Sequence, residues 1–505
     1  MNAYATKLSL EGARRALAEL ERRNFALSHA AGALSFDAVT AAPPGNRAAR
    51  SETIGYLGEA QLELVNSAEG IRLLDFLAEH MDELTEPERR SVRLLRRSGD
   101  ILRAVSLEEY LSFRKLANEA SNAWSRANES GGFSLLEPWL GRLFFAARHI
   151  ARAAAPDAGE YDFWLDFNEE GLTEARCAEF FAGIEERTAG LIERASRAEP
   201  PDMAVLGYRV SPLRQQRIAH FNMDALGVDR GRCRLAVSDH AFTAAFSRYD
   251  VRICTRYLPE SWTTSLYGVM HECGHALYEL NTAASLQFTP LAAGASVGVH
   301  ESQSRLYENM IGRSLAWTEF IWPVLTENIP ELAEHTPREL FRAANAFRRT
   351  PLRTEADEFT YCRHIILRFE LERALFAGEI SVHDAPAMWD ELSEKLLGVR
   401  PRGDSEGILQ DPHWASGQLG YFPAYAFGTV AAAQLYGRIC AETGAAGALA
   451  AGDLRPVNGW LREHIWQYGA LYPPRELLRR TLGGALDAGV YADYLADKLR
   501  EVYGE

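Results

Sequence analysis

The sequence predicts a mainly α-helical protein with one small β-sheet. Along most of the 505 residues, apolar side chains recur at the 3.6-residue spacing of amphipathic helices. Prolines, alone or in pairs, stand where this spacing is interrupted. Only residues 232–257 alternate polar and apolar side chains as strands do. Together these patterns favour helices for nearly the whole chain.

In chain order, fourteen segments carry the helical spacing. They are residues 8–30, 50–80, 85–127, 135–153, 173–197, 203–221, 262–281, 299–321, 338–348, 356–376, 383–397, 420–442, 457–468 and 473–502. Their limits are marked by Pro43-Pro44, Pro156, Pro200-Pro201, Pro290, Pro337, Pro351, Pro401 and Pro473-Pro474. Residues 234–238 and 248–254 are predicted to pair as short strands, in a small sheet beside the helix at 262–281.

The composition indicates one large folded body. Hydrophobic residues make up 47% of the chain, which is ample for a sizeable core, and no long Ser/Gly/Pro-rich linker divides it. We therefore expect a single domain over residues 1–505. A membrane span is not expected, because the sequence has no uncharged apolar run of about 18 residues.

The charge balance and the cysteines limit the partners and the compartment. The 54 basic and 69 acidic residues give a net charge of −15, which argues against nucleic acid, where a basic face is expected. Residues 1–7 lead into a charged helical pattern rather than into an apolar secretory segment. Six cysteines without paired spacing are typical of reduced thiols, so we expect a cytoplasmic protein. They are Cys177, Cys233, Cys254, Cys273, Cys362 and Cys440.

The pentapeptide His271-Glu272-Cys273-Gly274-His275 is the most informative feature of the chain. Residues four apart share one face of a helix, so both imidazoles can reach a single zinc ion. Glu272 lies one step around the helix, where its carboxylate can take a proton from a water molecule at the metal. The competing interpretation is a helix with two surface histidines. Apolar neighbours make the helix a buried one, and buried imidazoles need partners.

A third ligand has to come from downstream, because the continuation His-x-x-Gly-x-x-His is absent after His275. Glu301 lies in the first turn of the predicted helix at 299–321, which can fold back antiparallel after a glycine-containing loop. We predict Glu301 as the third ligand; the alternative is an exposed carboxylate favoured at a helix start. Glu308, two turns further on, is a candidate hydrogen-bond partner of a ligand histidine. If Glu301 points inward, His300 is expected to point to another face.

From these residues onward, the chain resembles the carboxypeptidase Taq family of metallocarboxypeptidases, whose zinc helix and downstream His-Glu-Ser segment have this form. Other segments match the family in its order. They are Asp250-Val251-Arg252-Ile253, Leu352-Arg353-Thr354-Glu355-Ala356-Asp357, Gly407-Ile408-Leu409-Gln410-Asp411-Pro412-His413-Trp414 and Gly420-Tyr421-Phe422-Pro423-Ala424-Tyr425. The chain departs from the family at Ala241 in His240-Ala241-Phe242, at Cys254 and at Leu352. None of these departures removes a proposed metal ligand.

The resemblance implies a large helical metallopeptidase fold with a deep groove between two helical halves, at about residues 1–200 and 201–505. It also implies a homodimer and one Zn²⁺ per chain, a metal that Co²⁺ or Mn²⁺ can replace at a His₂Glu site. The expected activity is the release of single C-terminal amino acids from peptides with a free C-terminus.

Two tyrosines are candidates for assisting catalysis. Tyr421 is predicted to donate a hydrogen bond to the oxyanion, as tyrosines do in related zinc peptidases, and Tyr425 is the alternative. The competing interpretation for either is aromatic packing in the core.

Three further residues of the matching segments are predicted to bind substrate. Arg353 is assigned to the C-terminal carboxylate, because a guanidinium fork matches that planar anion. The alternative for Arg353 is an internal salt bridge with Glu355 or Asp357. His240 and His413 are assigned to substrate or transition-state hydrogen bonding, with a structural histidine as the alternative.

Two other functions stay open at the level of sequence. A zinc endopeptidase or dipeptidyl carboxypeptidase differs from a carboxypeptidase in whether blocking the substrate's C-terminal carboxylate abolishes cleavage. A non-enzymatic helical binding protein with a leftover zinc site is the second alternative. Glu272 argues against it, since a structural zinc site needs no general base.

Overall fold

The computed structural model describes residues 9–504 and has the mainly helical fold that the sequence predicts. Within these residues the α-helices are numbered in chain order. They are α1 (Leu10–Thr40), α2 (Arg47–Asn66), α3 (Ala68–Glu79), α4 (Glu86–Ser98), α5 (Asp100–Ala104), α6 (Leu107–Ser130), α7 (Glu137–Ala154), α8 (Glu160–Asn168), α9 (Glu174–Arg197), α10 (Pro212–Ala225), α11 (Trp262–Leu280), α12 (Val297–Arg305), α13 (Leu315–Asn328), α14 (Pro337–Ala344), α15 (Tyr361–Ala377), α16 (Ala385–Leu397), α17 (Pro423–Thr443), α18 (Ala445–Leu449), α19 (Arg455–His464), α20 (Pro474–Leu482) and α21 (Ala488–Tyr503). The predicted helix start at residue 8 and the N-terminal segment 1–7 lie outside the described residues.

Several helices differ from the predicted ones. The predicted helix at 299–321 is divided into α12, a π-helix at Leu306–Gly312 and the start of α13. The predicted helix at 203–221 begins only at Pro212, whose fixed φ suits the first helical position. The short helices α8 and α18 were not predicted, because segments of this length carry too few turns to display a period.

Side-chain caps define where many helices start. Thr85 and Glu88 form a reciprocal capping box at the start of α4, in which each side chain bonds the other residue's backbone N–H. Ser106 and Glu109 repeat this arrangement at α6. At the other end of α6, Gly131 takes a φ of 72°, a left-handed conformation that glycine adopts without a Cβ penalty. These local signals agree with the apolar spacing, and most predicted helix positions are therefore correct.

A three-stranded sheet with the order β1–β3–β2 packs against α11. The two predicted strands are β1 (Cys233–Val237) and β3 (Asp250–Thr255), and they pair in parallel. The third strand, β2 (Phe242–Ser247), pairs antiparallel with β3 and forms an edge of the sheet. It was not predicted, because the run Phe-Thr-Ala-Ala-Phe-Ser lacks strict alternation. The expected position of the sheet beside the motif helix is confirmed.

One buried apolar cluster contains residues from Ile101 to Leu499, on both sides of the boundary expected near residue 200. A smaller cluster, from Ala13 to Leu95, joins α1, α2, α3 and α4 to one another. Because a continuous core links early and late parts of the chain, most elements pack into a common body. The division into two halves at residue 200 stays a prediction.

A groove of about 1040 Å³ runs between α1 and the sheet. Phe25 and His29 of α1 line one wall, and Ala245 and Phe246 of β2 line the other. Glu279, near the end of α11, also contacts the groove. The groove therefore adjoins the helix that carries the histidine motif. Across residues 9–504, we find no helix with both the length and the apolar character that a bilayer crossing requires.

Candidate metal centre and active site

The motif helix α11 is almost entirely buried and lies in direct backbone contact with α12. A Cβ on Gly274 would stand 2.5 Å from the carbonyl oxygen of Gln303, so only glycine allows this approach. Gly428 of α17 has the same role on the other side of α12, where a Cβ would stand 2.7 Å from the Cβ of Glu301. Because α12 is held between α11 and α17 in this way, the position of Glu301 along α11 is fixed.

The structure brings the three predicted metal ligands together. Glu301 Oε2 lies 3.7 Å from Nε2 of His271 and 3.6 Å from Nε2 of His275. The candidate ligand atoms of the three residues all lie within 4.8 Å of one another. Two metal bonds of about 2.1 Å that meet at a tetrahedral angle separate their outer atoms by about 3.4 Å. The spacing and the nitrogen and oxygen donors therefore fit one divalent metal ion.

The second nitrogen of each histidine ring has its own partner. His271 Nδ1 lies 2.9 Å from Glu308 Oε2. His275 Nδ1 lies 2.7 Å from His300 Nδ1, so the expectation that His300 points to another face is wrong. The reason is the close crossing of α11 and α12, at which two consecutive residues of α12 reach the motif helix. Both Nε2 atoms are left facing Glu301.

Glu308 lies in the π-helix, a wide turn of the kind often found at functional sites. Arg305 Nε donates to Glu301 Oε1 at 2.7 Å, and Arg313 Nη2 donates to Glu308 Oε1 at 3.1 Å. Burial by itself raises the pKa of Glu308, but the hydrogen bond to His271 and the two arginine charges outweigh it and hold the pKa far below its usual range. Glu308 is therefore an ionised acceptor for the Nδ1 proton of His271.

Glu272, the predicted base, is 5% exposed, and its carboxylate is oriented by the edge strand. Thr243 Oγ1 on β2 donates to Glu272 Oε2 at 2.6 Å. Burial raises the pKa of Glu272, against the opposing effects of His271 and of this hydrogen bond. Sequence analysis did not identify Thr243. Its position directly after the family-like segment His240-Ala241-Phe242 was the available signal.

Arg353 pairs with Asp411 and not with Glu355 or Asp357, the partners considered from the sequence. Its Nε and Nη2 atoms lie 3.1 and 2.8 Å from Asp411 Oδ1. Fully buried Arg368 donates to Oδ2 of the same carboxylate at 2.7 Å. Burial raises the pKa of Asp411, but the charges of both arginines outweigh it and hold the pKa well below its usual range. Two guanidiniums on one carboxylate leave one net positive charge.

Tyr421, Tyr425 and His413 form an aromatic group beside this arginine pair. His413 Nε2 lies 3.2 Å from Tyr425 Oη, and the ring centroid of Tyr421 lies 5.5 Å from that of His413. Burial lowers the pKa of His413 to about 4, so the ring is neutral near pH 7. Burial, together with the charge of Glu301, raises the pKa of Tyr421. The phenol therefore keeps its proton and remains a donor.

His240 lies apart from this group, exposed in the loop between β1 and β2. Its backbone carbonyl accepts a hydrogen bond of 2.6 Å from Ser238 Oγ, and its side chain lines the groove. Among the described residues, the cluster that can hold a metal does not include it. Its predicted role in substrate binding stays a prediction.

Glu372 of α15, which sequence analysis did not identify, holds the loop that precedes α17 by hydrogen bonds. Its Oε1 accepts hydrogen bonds from Trp414 Nε1 at 3.1 Å and from the Gly420 N–H at 2.9 Å. Tyr161 donates to Oε2 at 3.0 Å. Burial raises the pKa of Glu372 to about 7. Nothing in the sequence distinguishes it from the other glutamates of predicted helices.

We expect Glu372 to make stability depend on pH. Its pKa rises from 4.5 to about 7 on folding, so between these values the folded protein keeps a proton that the unfolded chain has released. The stabilisation is complete below pH 4.5 and is lost as the pH rises through 7, by up to about 3 kcal/mol. Thermal melts of Glu372→Gln should therefore show a smaller decrease in Tm between about pH 5 and pH 8. The exposed control Glu379→Gln should keep the wild-type decrease, and an unchanged decrease in Glu372→Gln would contradict the assignment.

Comparison with known proteins identifies the family. Residues 16–499 match the model of the carboxypeptidase Taq (M32) metallopeptidase family. The chain belongs to the carboxypeptidase Taq family. It is 38% identical over 481 residues to a thermostable carboxypeptidase 1 of Pyrococcus furiosus, with 94% of this chain and 96% of the relative covered. It is 33% identical over 488 residues to a carboxypeptidase 1 of Bacillus subtilis, with 96% and 97% covered.

Solved structures of carboxypeptidase Taq enzymes share the architecture. The fold is similar to that of the Pyrococcus furiosus carboxypeptidase in an apo-Mg form, with a TM-score of 0.94, 37% identity, and 97% of this chain and 99% of that chain covered. For the M32 carboxypeptidase of Deinococcus radiodurans R1, the TM-score is 0.93 at 32% identity, with 98% and 100% covered. The protein is therefore a metallocarboxypeptidase, an enzyme class that uses a divalent metal and acts on peptides.

Proposed function

We propose that this carboxypeptidase Taq enzyme uses zinc to release single C-terminal amino acids from peptides with a free C-terminus. The observation that carries the proposal is the cluster of His271, His275 and Glu301 beside buried Glu272. Two imidazoles and one carboxylate are a frequent ligand set of catalytic zinc and leave a position for water. Co²⁺ or Mn²⁺ suits the same donors. Family membership argues against a non-enzymatic binding protein.

Glu272 is the proposed general base. When bound, the zinc ion supplies Lewis acidity that lowers the pKa of a water molecule and polarises the substrate carbonyl. Because Thr243 bonds Oε2 of Glu272, we assign Oε1 to accept the proton of the attacking water. The carboxyl then returns this proton to the leaving amine.

Tyr421 is the proposed donor to the oxyanion. Tyr425 lies within hydrogen-bond distance of His413, at 3.2 Å, and this contact engages its hydroxyl. Burial and the charge of Glu301 raise the pKa of Tyr421, as they do that of Tyr425, so both phenols keep their protons. A protonated phenol near the ligand set is suited to stabilise developing negative charge. His413 then acts by orienting Tyr425 and the surrounding rings.

The edge strand β2 supports binding of an extended peptide. Its backbone borders the groove at Ala244 and Ala245, and its Thr243 contacts the base Glu272. Exposed sheet edges bind peptides by adding a further strand. We assign the groove, including His240 in its wall, to the part of the substrate that precedes the cleaved bond.

Arg353 is proposed to bind the free carboxylate of the substrate, which makes the enzyme a carboxypeptidase rather than an endopeptidase. Its pairing with Asp411 supports this role, because two charge-assisted hydrogen bonds to the same Asp411 oxygen hold the guanidinium in one orientation. Arg368 neutralises the second Asp411 oxygen, so a positive charge remains for the substrate. Nε and Nη2 are engaged, and Nη1 is therefore the nitrogen that we assign to the substrate.

Replacing Arg353 with Gln should lower kcat/KM for free-acid peptides by about 10- to 100-fold, mostly through KM, because a charge-assisted hydrogen bond to substrate is lost. The measurement is steady-state kinetics on a peptide and on its C-terminal amide. The wild type should prefer the acid strongly, and the variant should lose most of that preference. Arg455→Gln, which removes a surface arginine that also pairs with an aspartate, is the matched control. Wild-type discrimination in Arg353→Gln would assign the carboxylate to another residue.

We also propose a cytoplasmic homodimer. The six cysteines of the described chain are free thiols, and five of them are buried, which suits a reducing compartment. The dimer is an expectation from the family resemblance. Light scattering coupled to gel filtration should give twice the 56.2 kDa of one chain. A mass of one chain at micromolar concentration would contradict it.

A further inference from the structure

The two motif histidines are held by different kinds of partner. His271 Nδ1 lies 2.9 Å from the Glu308 carboxylate, the usual arrangement for a metal-binding histidine. His275 Nδ1 instead lies 2.7 Å from the Nδ1 atom of a second imidazole, His300. His300 Nε2 in turn lies 2.8 Å from Glu279 Oε1. A chain of three side chains therefore extends from His275 to Glu279 at the groove wall.

When His275 binds a metal, only one arrangement of protons satisfies the hydrogen bonds between these three side chains. A nitrogen that ligates a metal carries no proton, so neutral His275, with Nε2 facing Glu301, keeps its proton on Nδ1. His275 Nδ1 then donates to His300 Nδ1, which has to accept. The proton of His300 is consequently on Nε2, where it is donated to Glu279. Each of the two hydrogen bonds, from His275 to His300 and from His300 to Glu279, then contains one proton.

The surroundings of His300 hold its ring in this position. A Cβ on Gly294 would stand 2.6 Å from His300 Cδ2, so the glycine lets the loop lie directly against the ring. The ring centroid of Tyr278 lies 5.2 Å from that of His300. The Gly294 N–H donates to Glu279 Oε1 at 3.3 Å. Glu279 is thus fixed by the same loop that covers His300.

We infer that His300 and Glu279 are positioning residues for the metal site, acting through His275. The inference rests on the proposed function, in which His275 is a ligand. Glu279 fixes the tautomer of His300, and His300 fixes the orientation and the tautomer of His275. A hydrogen-bonded partner of this kind also strengthens the electron donation of the ligand nitrogen, and its loss typically weakens metal binding by about 10- to 100-fold.

The test is the zinc dissociation constant, measured by competition with a chromophoric chelator. His300→Leu removes the acceptor for His275, and zinc affinity should fall by about 10- to 100-fold. His300→Gln should stay within about threefold of the wild type, because its amide oxygen accepts and its NH₂ group donates in the required order. The exposed histidine His383, which also contacts a carboxylate, provides the control His383→Leu, with wild-type affinity expected. Wild-type affinity in His300→Leu, or equal losses in the Leu and Gln variants, would overturn the inference.

A second measurement needs no variant and applies if His300→Leu does not fold. In zinc-loaded wild-type protein labelled with ¹⁵N-histidine, the His300 ring should be neutral with its proton on Nε2. A proton on Nδ1 of His300, or on both of its nitrogens, would overturn the inference. If the wild type binds no zinc at all, the proposed ligand set fails instead, so the two failures are distinguishable.

Discussion

Replacing Glu272 with Gln is expected to lower kcat by about 10²- to 10⁴-fold while zinc binding stays at the wild-type level. The amide matches the carboxylate in shape and can still accept the hydrogen bond from Thr243 Oγ1. It cannot accept a proton from water or deliver one to the leaving amine. The loss should therefore appear in kcat, with KM little changed, since substrate binding does not use this proton.

The Glu272→Gln experiment needs measurements of both rate and metal content. Glu379→Gln, which changes an exposed glutamate that has no assigned role, controls for the loss of a carboxylate as such. Thr243→Val is an intermediate case, which frees the Glu272 carboxylate from its hydrogen bond and should cost about tenfold in kcat. Retention of more than about a tenth of wild-type kcat in zinc-loaded Glu272→Gln would remove Glu272 from its role as the base.

Replacing Glu301 with Gln should weaken zinc binding by more than about 100-fold. Loss of a residue that only hydrogen-bonds a metal ligand weakens binding by up to about 100-fold, and loss of a ligand should cost more. The substitution removes the only anionic ligand of the proposed set and leaves Arg305 Nε, 2.7 Å from Oε1, without its charged partner. Activity at limiting zinc should fall with zinc occupancy. Metal analysis after dialysis, together with a chelator titration, measures both effects.

Glu308→Gln is the matched comparison for Glu301→Gln. Glu308 contacts His271 Nδ1 at 2.9 Å and belongs to the outer layer of the site, so the expected loss in zinc affinity is about 10- to 100-fold. The predicted order of zinc affinities is wild type, then Glu308→Gln, then Glu301→Gln. A Glu301→Gln protein that binds zinc more tightly than Glu308→Gln would show that the third ligand is another residue.

The sequence could predict those parts of the site that depend on spacing within one helix. His271 and His275 share a face because four residues make about one helical turn. Glu308 was predicted from the same spacing, seven residues after Glu301, although the π-helix that begins at Leu306 alters the spacing there. The predicted helix and its buried character follow from such local rules, and Glu301 was identified as a carboxylate in the first turn of the next predicted helix. The family-like segments then identified Arg353, His413 and the two tyrosines as neighbours of interest.

Contacts between distant segments could not be predicted in this way. His300 reaches His275 only because α11 and α12 cross at backbone contact over Gly274, a distance that no spacing rule specifies. Arg353 meets Asp411 across 58 residues, although two nearer acidic residues were available. Strand β2 and its Thr243 were missed because short edge strands have weak patterns, and they are fixed by pairing with β3.

The most direct test of the account is mass spectrometry of a mixed peptide pool incubated with zinc-loaded enzyme, sampled over time. The same peptides with C-terminal amides and the Glu272→Gln protein are run in parallel. We predict stepwise loss of single C-terminal residues from the free acids, none from the amides and almost none with the variant. Internal cleavage of acids and amides at equal rates would contradict the proposed carboxypeptidase mechanism and the role of Arg353.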